Sequence, residues 1–353
     1  MLTTNMRAPS NLQASVETGR IFWQEGRVLE GGRNALVSRS PDGTIADVNA
    51  SPSNCRTRVH EYGGASYTLL DGGRSVAFSE FVGQHLQLCP AEGGGAGPKP
   101  LTTEAGGFRF ADGRDDARGR LVIVRETESE SPSAVVNEVV SVPHAAAAAG
   151  RGEAAVTEQE ITVLATGRDF YSYPRLSSCG TKLAYVCWDH PNMPWDNTEL
   201  FIQDLDAETG MPAGDPRRVT AGGQESVCQP LWAPDGSLLY LSDSTTGFYN
   251  LHVLDPPAAA PRCLLPQQTE FCSSHQGWQF GLPSFHLLTP DTLVCALSES
   301  GVSRLCTVDV STGDVASLDV PGLPADVSEM AVVSPTKLAL SDSWRARSSS
   351  SKK

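Results

Sequence analysis

A short apolar run that ends at a carboxylate recurs seven times along this 353-residue chain. It reads RIFWQE from Arg20, RSVAFSE from Arg74, RLVIVRE from Arg120, KLAYVCWD from Lys182, SLLYLSD from Ser237, TLVCALSE from Thr292 and KLALSD from Lys337. Successive runs begin 54, 46, 62, 55, 55 and 45 residues apart, about 53 per unit. That period exceeds the common helical repeats and lies near the ~50 residues of a kelch-type propeller blade. The runs are rich in Val, Ile, Leu, Tyr and Phe and too short for independent helices, so they read as strands.

The flanking chemistry agrees. Turn-forming residues precede several runs: LDGG at 70–73, SSCG at 177–180, APDG at 233–236 and TPD at 289–291. Such residues accept the backbone angles that reverse a chain. A second strand-like segment follows in ELFIQDLDAETG from Glu199, NLHVLDPP from Asn250 and SRLCTVDVSTG from Ser303. Repeated antiparallel meanders arranged around a channel make a propeller. The expected fold is therefore all-β, a seven-bladed β-propeller whose last blade is incomplete, because only 11 residues follow Asp342. The expected organisation is a flexible segment over 1–15, the propeller over 16–343, and a disordered Ser/Lys tail over 344–353. An incomplete blade leaves an edge that invites strand pairing unless something covers it. The low-complexity stretches AEGGGAGPKP (91–100), HAAAAAGRGEAA (144–155) and PPAAAP (256–261) read as surface connections.

Charge and motif content exclude several function classes. Lys and Arg number 27 against 41 Asp and Glu, a net charge of −14, which does not suit a phosphate backbone. Nucleic acid is not an expected partner. No stretch approaches the ~18–20 apolar residues of a membrane span, and the first 30 residues hold no signal-type apolar run. No membrane partner is expected, and the expected compartment is the cytoplasm, with an organellar form of longer amino terminus left open. Nine cysteines without a C-x-x-C pair give neither a disulfide framework nor a zinc knuckle, and several lie in apolar runs, where a thiol packs as a small hydrophobe. The sequence holds no G-x-S-x-G, H-E-x-x-H, P-loop or EF-hand pattern. No catalytic residue, metal or cofactor is therefore assigned.

Two polar loops stand out as sites. Arg56 to Gly64 places two cations, His60, Glu61 and Tyr62 before a Gly pair; it reads either as a ligand-facing strand end or as a charge-paired turn that locks two blades. Trp188, Asp189, His190, Pro191, Asn192, Met193, Pro194, Trp195 and Asp196 form a stiff loop whose two Trp should pack on something: a substrate, another domain or the next blade. GGQES at 222–226, which contains Glu225, and QGWQFG at 276–281 are weaker versions. The acids that close the runs (Glu25, Glu80, Glu126, Asp189, Asp243, Glu299, Asp342) should share one rim. They would form either an electronegative ring or, as the preferred reading, acceptors for hydrogen bonds from the following turns.

At RTRVHEYGGASY (56–67), YPRLSSCGTKLAYVCWDHPNMPWDNTELFIQDL (173–205), GGQESVCQPLWAPDGSLLYLSDSTTGFYNLH (222–252) and FGLPSFHLL (280–288) the chain closely resembles the amino-terminal propeller of the prolyl oligopeptidase family. The resemblance is to the acylaminoacyl-peptidase and dipeptidyl-aminopeptidase-like branch and runs from about Ile21 to about Asp342. Ala65 stands where that family often extends its glycine run, and Ser178-Cys179 replaces the usual Pro-Asp before Gly180. The resemblance implies a propeller that caps an α/β-hydrolase domain bearing a Ser, Asp and His triad, limits access to short peptides and contributes contacts on the substrate side. No residue here matches the triad. The resemblance implies that His60, Glu61, Tyr62, Trp188, Asp189, His190, Asn192, Trp195 and Glu225 face that domain or its substrate. The leading expectation is thus a truncated, separately inactive propeller of a serine peptidase. The alternative is a stand-alone propeller that binds a protein partner at a rim or at the open edge. A third, weaker option is a hydrolase with its own channel site, which would depend on His60 or His190.

Overall fold

A computed structural model describes residues 9–341 except 94–96, 105–106, 128, 130, 132–133, 145–153, 257, 259, 272–277, 300–301, 321–326 and 328. The Ser/Lys tail, Asp342 and most of the Ala-rich stretch lie outside the described residues. Each of the seven apolar runs forms the second strand of a sheet. The first sheet holds β1 (Pro9–Ala14), β2 (Ile21–Arg27), β3 (Arg33–Arg39) and β4 (Ile45–Asp47). The second holds β5 (Tyr67–Leu70), β6 (Ser75–Ser79), β7 (Leu86–Pro90) and β8 (Lys99–Pro100), and the third β9 (Phe108–Asp116), β10 (Arg120–Thr127), β11 (Asn137–Pro143) and β12 (Thr162–Ala165). The fourth contains β13 (Phe170–Leu176), β14 (Lys182–Trp188), β15 (Glu199–Asp204) and β16 (Arg217–Arg218). The fifth contains β17 (Val227–Trp232), β18 (Leu238–Ser242), β19 (Asn250–Leu254) and β20 (Arg262–Cys263). The sixth is β21 (Phe285–Thr289), β22 (Thr292–Glu299), β23 (Val302–Asp309) and β24 (Val315–Ser317). The last run pairs only in a two-stranded sheet, β25 (Glu329–Ser334) with β26 (Lys337–Ser341). The fold is an all-β propeller with six four-stranded blades among the described residues. One expected boundary moves: Pro9–Ala14, placed by sequence in a flexible opening segment, is the inner strand of the first blade. Its polar PSNLQA composition hid it. No helix among the described residues is long and apolar enough to cross a membrane.

The second strands were legible because both their faces are covered. All five residues of β18 and the six central residues of β10 are buried, so these strands read as unbroken apolar runs rather than as alternation. Their side chains fill five apolar clusters between neighbouring sheets. One of these joins the fourth, fifth and sixth sheets through Trp188, Tyr240, Leu251 and Leu293; another joins the sixth sheet to β25 through Val294, Leu305 and Met330. No such cluster among the described residues joins β25–β26 to the first sheet. Of the eight described cysteines, none paired, six are buried; Cys263 is half-buried and Cys179, in a turn, is exposed.

The inner strands are tied by a belt of hydrogen bonds around the channel. β1, β9, β13 and β17 each carry a bulge with a left-handed residue: Asn11 (φ 53°), Asp112 (φ 56°), Tyr173 (φ 52°) and Gln229 (φ 55°). Each such backbone costs on the order of 1–3 kcal/mol unless its surroundings hold it. Here they do. Ala65 N donates to Asn11 Oδ1 (3.1 Å), Asp112 N to Ala65 O (3.0 Å), Tyr173 N to Asp112 Oδ2 (2.9 Å) and Ser284 N to Gln229 Oε1 (2.7 Å). Trp232 Nε1 donates to Arg175 O (2.9 Å), and the His286 ring bonds the Met330 backbone. Glu329 completes the circle: its carboxylate accepts from Asn11 N (3.0 Å) and Leu12 N (2.5 Å).

The junction of β25–β26 with the first sheet thus rests on a buried carboxylate where its neighbours rest on apolar packing. Glu329→Ala strands two amide donors and should lower stability by about 1–3 kcal/mol, read as a shift of the urea midpoint. Glu329→Gln, which keeps one acceptor, should lose less. Equal midpoints for wild type and Glu329→Ala would show that the junction is held by other contacts.

Candidate functional site

In an antiparallel blade the loop that enters the first strand and the loop that leaves the second lie at the same end. The loops containing His60, Asp189, Glu225 and Phe280 therefore share one rim with the carboxylates that close the runs. Those carboxylates hold backbone, chiefly that of incoming loops, and Glu80 also accepts from Phe81 N in the turn that follows it (3.1 Å). Glu80 accepts from Asn54 N (3.1 Å), Glu126 from His60 N (2.9 Å), Asp189 from Asp169 N (2.8 Å) and Asp243 from Ser226 N (2.8 Å). Each of these four partners lies in a loop that precedes a first strand, so these acids moor the incoming loops. The expected acceptor role is seen at these four positions, toward the incoming loop in each and, at Glu80, toward the following turn as well; the Glu299 side chain and Asp342 lie outside the described residues.

The Arg56–Gly64 segment is a strap across the channel mouth. His60 (φ 54°) and Glu61 (φ 65°) are left-handed, and Gly64 (φ 100°) forms a parallel bridge with Phe280. A Cβ on Gly64 would stand 2.3 Å from Phe280 O, so only glycine allows the approach. Below the strap, Arg109 Nη1 reaches Glu61 Oε1 (2.7 Å), Glu126 Oε1 (3.0 Å) and Arg58 O (3.2 Å). Burial raises the Glu126 carboxyl above its ordinary range, against the pull of the His60 amide and Arg109. The strap leaves the second sheet and lands on the third, the fourth and the loop that enters the sixth.

His60 is the centre of an aromatic cluster. Its ring lies 5.1 Å from Phe170, 5.5 Å from Trp188 and 5.0 Å from Phe280, while Phe170 stacks on Trp188 (5.2 Å, 12°) and takes His190 on its edge at 5.0 Å. Burial pushes the His60 imidazole down to about 3, against a smaller upward pull from Asn137, so it is neutral at pH 7. Tyr62, 60% exposed, meets Trp278 edge-on at 4.9 Å and carries the cluster to the surface.

The loop after β14 is a compact turn on this cluster. Asp189 takes Arg168 Nε (2.6 Å), Asn192 N bonds Asp189 O (3.0 Å), His190 N bonds Asp169 Oδ2 (2.9 Å), and Ser226 Oγ fixes Pro194 O (2.7 Å). Trp195, 41% exposed, and Met193, 39% exposed, are left at its crest. Of the nine residues singled out by sequence, His60, Tyr62, Trp188 and His190 meet in or beside the aromatic cluster. Glu61 and Asp189 are engaged in ion pairs, Asn192 braces the turn and Trp195 faces outward. Glu225 stands apart, buried in the fifth blade, where it accepts the Ser242 hydroxyl (2.7 Å). Sequence reasoning missed Phe170, which bears no local signal, and gave Phe280 only within a weak segment. Among the described residues no three or more His, Cys, Asp or Glu side chains gather as metal ligands. The hydroxyl–imidazole contact of Thr245 Oγ1 with His252 Nε2 (3.0 Å) lies within the fifth blade, where the ring stacks on Tyr240. The rim can bind and shape; it presents aromatic faces and carboxylates.

Fold and rim together define a propeller crossed at one rim by the Arg56–Gly64 strap, with an aromatic cluster around His60. Among solved structures the chain is similar to a Mycobacterium tuberculosis puromycin-hydrolysing peptidase (30% identity, 92% of this chain and 48% of that one, TM-score 0.77). It is equally similar to a puromycin hydrolase (30% identity, 93% and 49%, TM-score 0.79). A prolyl endopeptidase at 11% identity, with TM-score 0.61, shares the fold. No protein-family model and no curated protein matches. The chain spans about half the length of the two peptidases it matches at 30% identity. The chain is related to the propeller portion of peptidases of the prolyl oligopeptidase family, as the motifs at 56–67 and 173–205 imply.

Burial of a neutral His60 sets a pH dependence. Its folded value lies below its unfolded one, so the unfolded chain takes the proton first and stability is lost as pH falls from about 6.5 toward 3. His60→Phe should flatten the fall in melting temperature between pH 7 and pH 5. It should not abolish the fall, since burial also pushes His286 down, to about 4. Parallel melting curves for wild type and variant would place His60 in solvent.

Proposed function

We propose that this chain is the gating and substrate-orienting half of a serine peptidase that acts on short peptides, the nucleophile residing in an α/β-hydrolase domain encoded beyond or apart from it. The observation that carries this is coverage: 30% identity extends over 92–93% of this chain yet only 48–49% of the puromycin-hydrolysing proteins. We read β25–β26 as the first half of a seventh blade, since its two strands repeat the inner pair of the other six. The hydrolase domain would complete or cover that edge. The strapped rim is the face assigned to the hydrolase domain and its substrate, with Tyr62, His190, Asn192 and Trp195 as the contacting residues. Exposed Trp and Tyr beside polar groups are the usual anchors of such contacts. Glu61 and Asp189, paired with Arg109 and Arg168, hold in place the loops that carry them. The eight described cysteines are unpaired, which suits the cytoplasmic compartment proposed here.

Sequencing the message past Lys353, with the mass of the native product, tests the reading. The frame is expected to continue into a G-x-S-x-G segment, and the longer product to hydrolyse aminoacyl amides that the 353-residue chain leaves intact. In the longer product Trp195→Ala should raise KM ~10-fold with little change in kcat, as removal of binding shared by ground and transition state does. A message ending at Lys353, with a chain that forms no complex with a separate hydrolase domain, would overturn it.

A further inference from the structure

Below the strap the inner strands enclose a cavity of about 430 Å³, within the range of small-molecule sites. Ala65 and Gly281, which flank the Gly64–Phe280 bridge, close its inner end. Ala14, Leu69 and Asp115 are shared with a cavity of about 860 Å³ at the opposite rim, so the pit adjoins that side. Its wall carries Asp112, Asp115, Arg114 and His286. Asp112, fully buried, faces two guanidiniums: it lies 2.9 Å from Arg175 Nη1 and 3.8 Å from Arg114 Nη1, while its other oxygen is held by the Tyr173 amide. Asp115, the other carboxylate on the wall, takes the Asp71 amide (2.8 Å) and His144 Nε2 (2.8 Å). Arg114 is left with the neighbouring Gly113 carbonyl (2.6 Å) and a distant share of Asp112, although a guanidinium carries five donors. Its side chain lines the pit and is 40% exposed, so the remaining donors are open to water or to a ligand. On the same wall His286 gives one ring nitrogen to the Met330 backbone, and its Nε2 is buried without a partner. Burial keeps that ring neutral, so Nε2 is an acceptor.

We propose that this pit is a carboxylate-binding site in which Arg114 holds the free carboxylate end of a short peptide and His286 Nε2 accepts one of its backbone N–H groups. The carboxylate chemistry stands on the pit alone; the peptide rests on the peptidase reading given above. A chain of net charge −14 offers a carboxylate no general attraction, so the selection is local.

Calorimetric titration of the 353-residue chain with triglycine, triglycinamide and inorganic phosphate tests the proposal independently of any hydrolysis. Triglycine is expected to bind about 10- to 100-fold more tightly than its amide, the span typical of a charge-assisted contact, and Arg114→Met to erase the difference with the melting temperature kept. Should Arg114→Met fail to fold, His286→Ala serves instead and should weaken triglycine and triglycinamide alike. Equal binding of triglycine and its amide, or triglycine affinity unchanged in Arg114→Met, overturns the site. Phosphate binding that depends on Arg114, with no triglycine signal, overturns the peptide assignment in favour of an inorganic anion. Because binding is read on this chain alone, failure of the peptidase reading would appear in the hydrolysis assay and not here.

Discussion

The inner strands hand hydrogen bonds to one another around the channel, and the rest of the molecule hangs on that belt. A propeller has no single core; its apolar clusters lie between sheets and fix each blade only against its neighbours. What sets the blades in a ring is the chain of contacts from Glu329 through Asn11, Ala65 and Asp112 to Tyr173, continued by Gln229 and Ser284. Four left-handed bulges are retained because each aims an amide or a side chain at the next blade. Asn and Asp tolerate that geometry best, which accounts for polar residues at the centre of strands that otherwise pack apolar neighbours.

The same belt produces the two ends of the channel. At one rim, Ala65 and Gly281 meet Asn11, and a Cβ on Gly281 would stand 2.5 Å from Asn11 Oδ1. This close approach carries the strap over the mouth and lays His60 among Phe170, Trp188 and Phe280. At the other end the pit stays accessible, and Asp112, held on the belt and 2.9 Å from Arg175, lies 3.8 Å from the half-exposed Arg114. One buried carboxylate thus belongs both to the belt and to the wall of the cavity.

Much of this was legible in the residues. The seven apolar runs are the second strands without exception, since burial on both faces gives them a signal free of alternation. The inner strand β1 escaped notice because it lines the channel with polar residues, and β8, β16 and β20 because they are two residues long. The conspicuous loops at 56–64 and 188–196 are dense in hydrogen bonds and ion pairs. Of the two meanings offered for Arg56–Gly64, the charge-paired turn is the one the contacts describe: Arg109 joins Glu61 to Glu126.

The sequence by itself determined the repeat, the strand order within a blade, the shared rim of the described acids and the family likeness, because all of these follow from local pattern and period. Tertiary structure alone decided that the strap from the second blade reaches the fourth and sixth, that Phe170 completes a cluster around His60, and that Arg114 and Arg175 share one carboxylate. Those contacts join residues far apart in the chain at the centre of a closed ring. Their partners are chosen by the curvature of the ring and by glycine-permitted backbone approach, neither of which leaves a periodic trace in the residues.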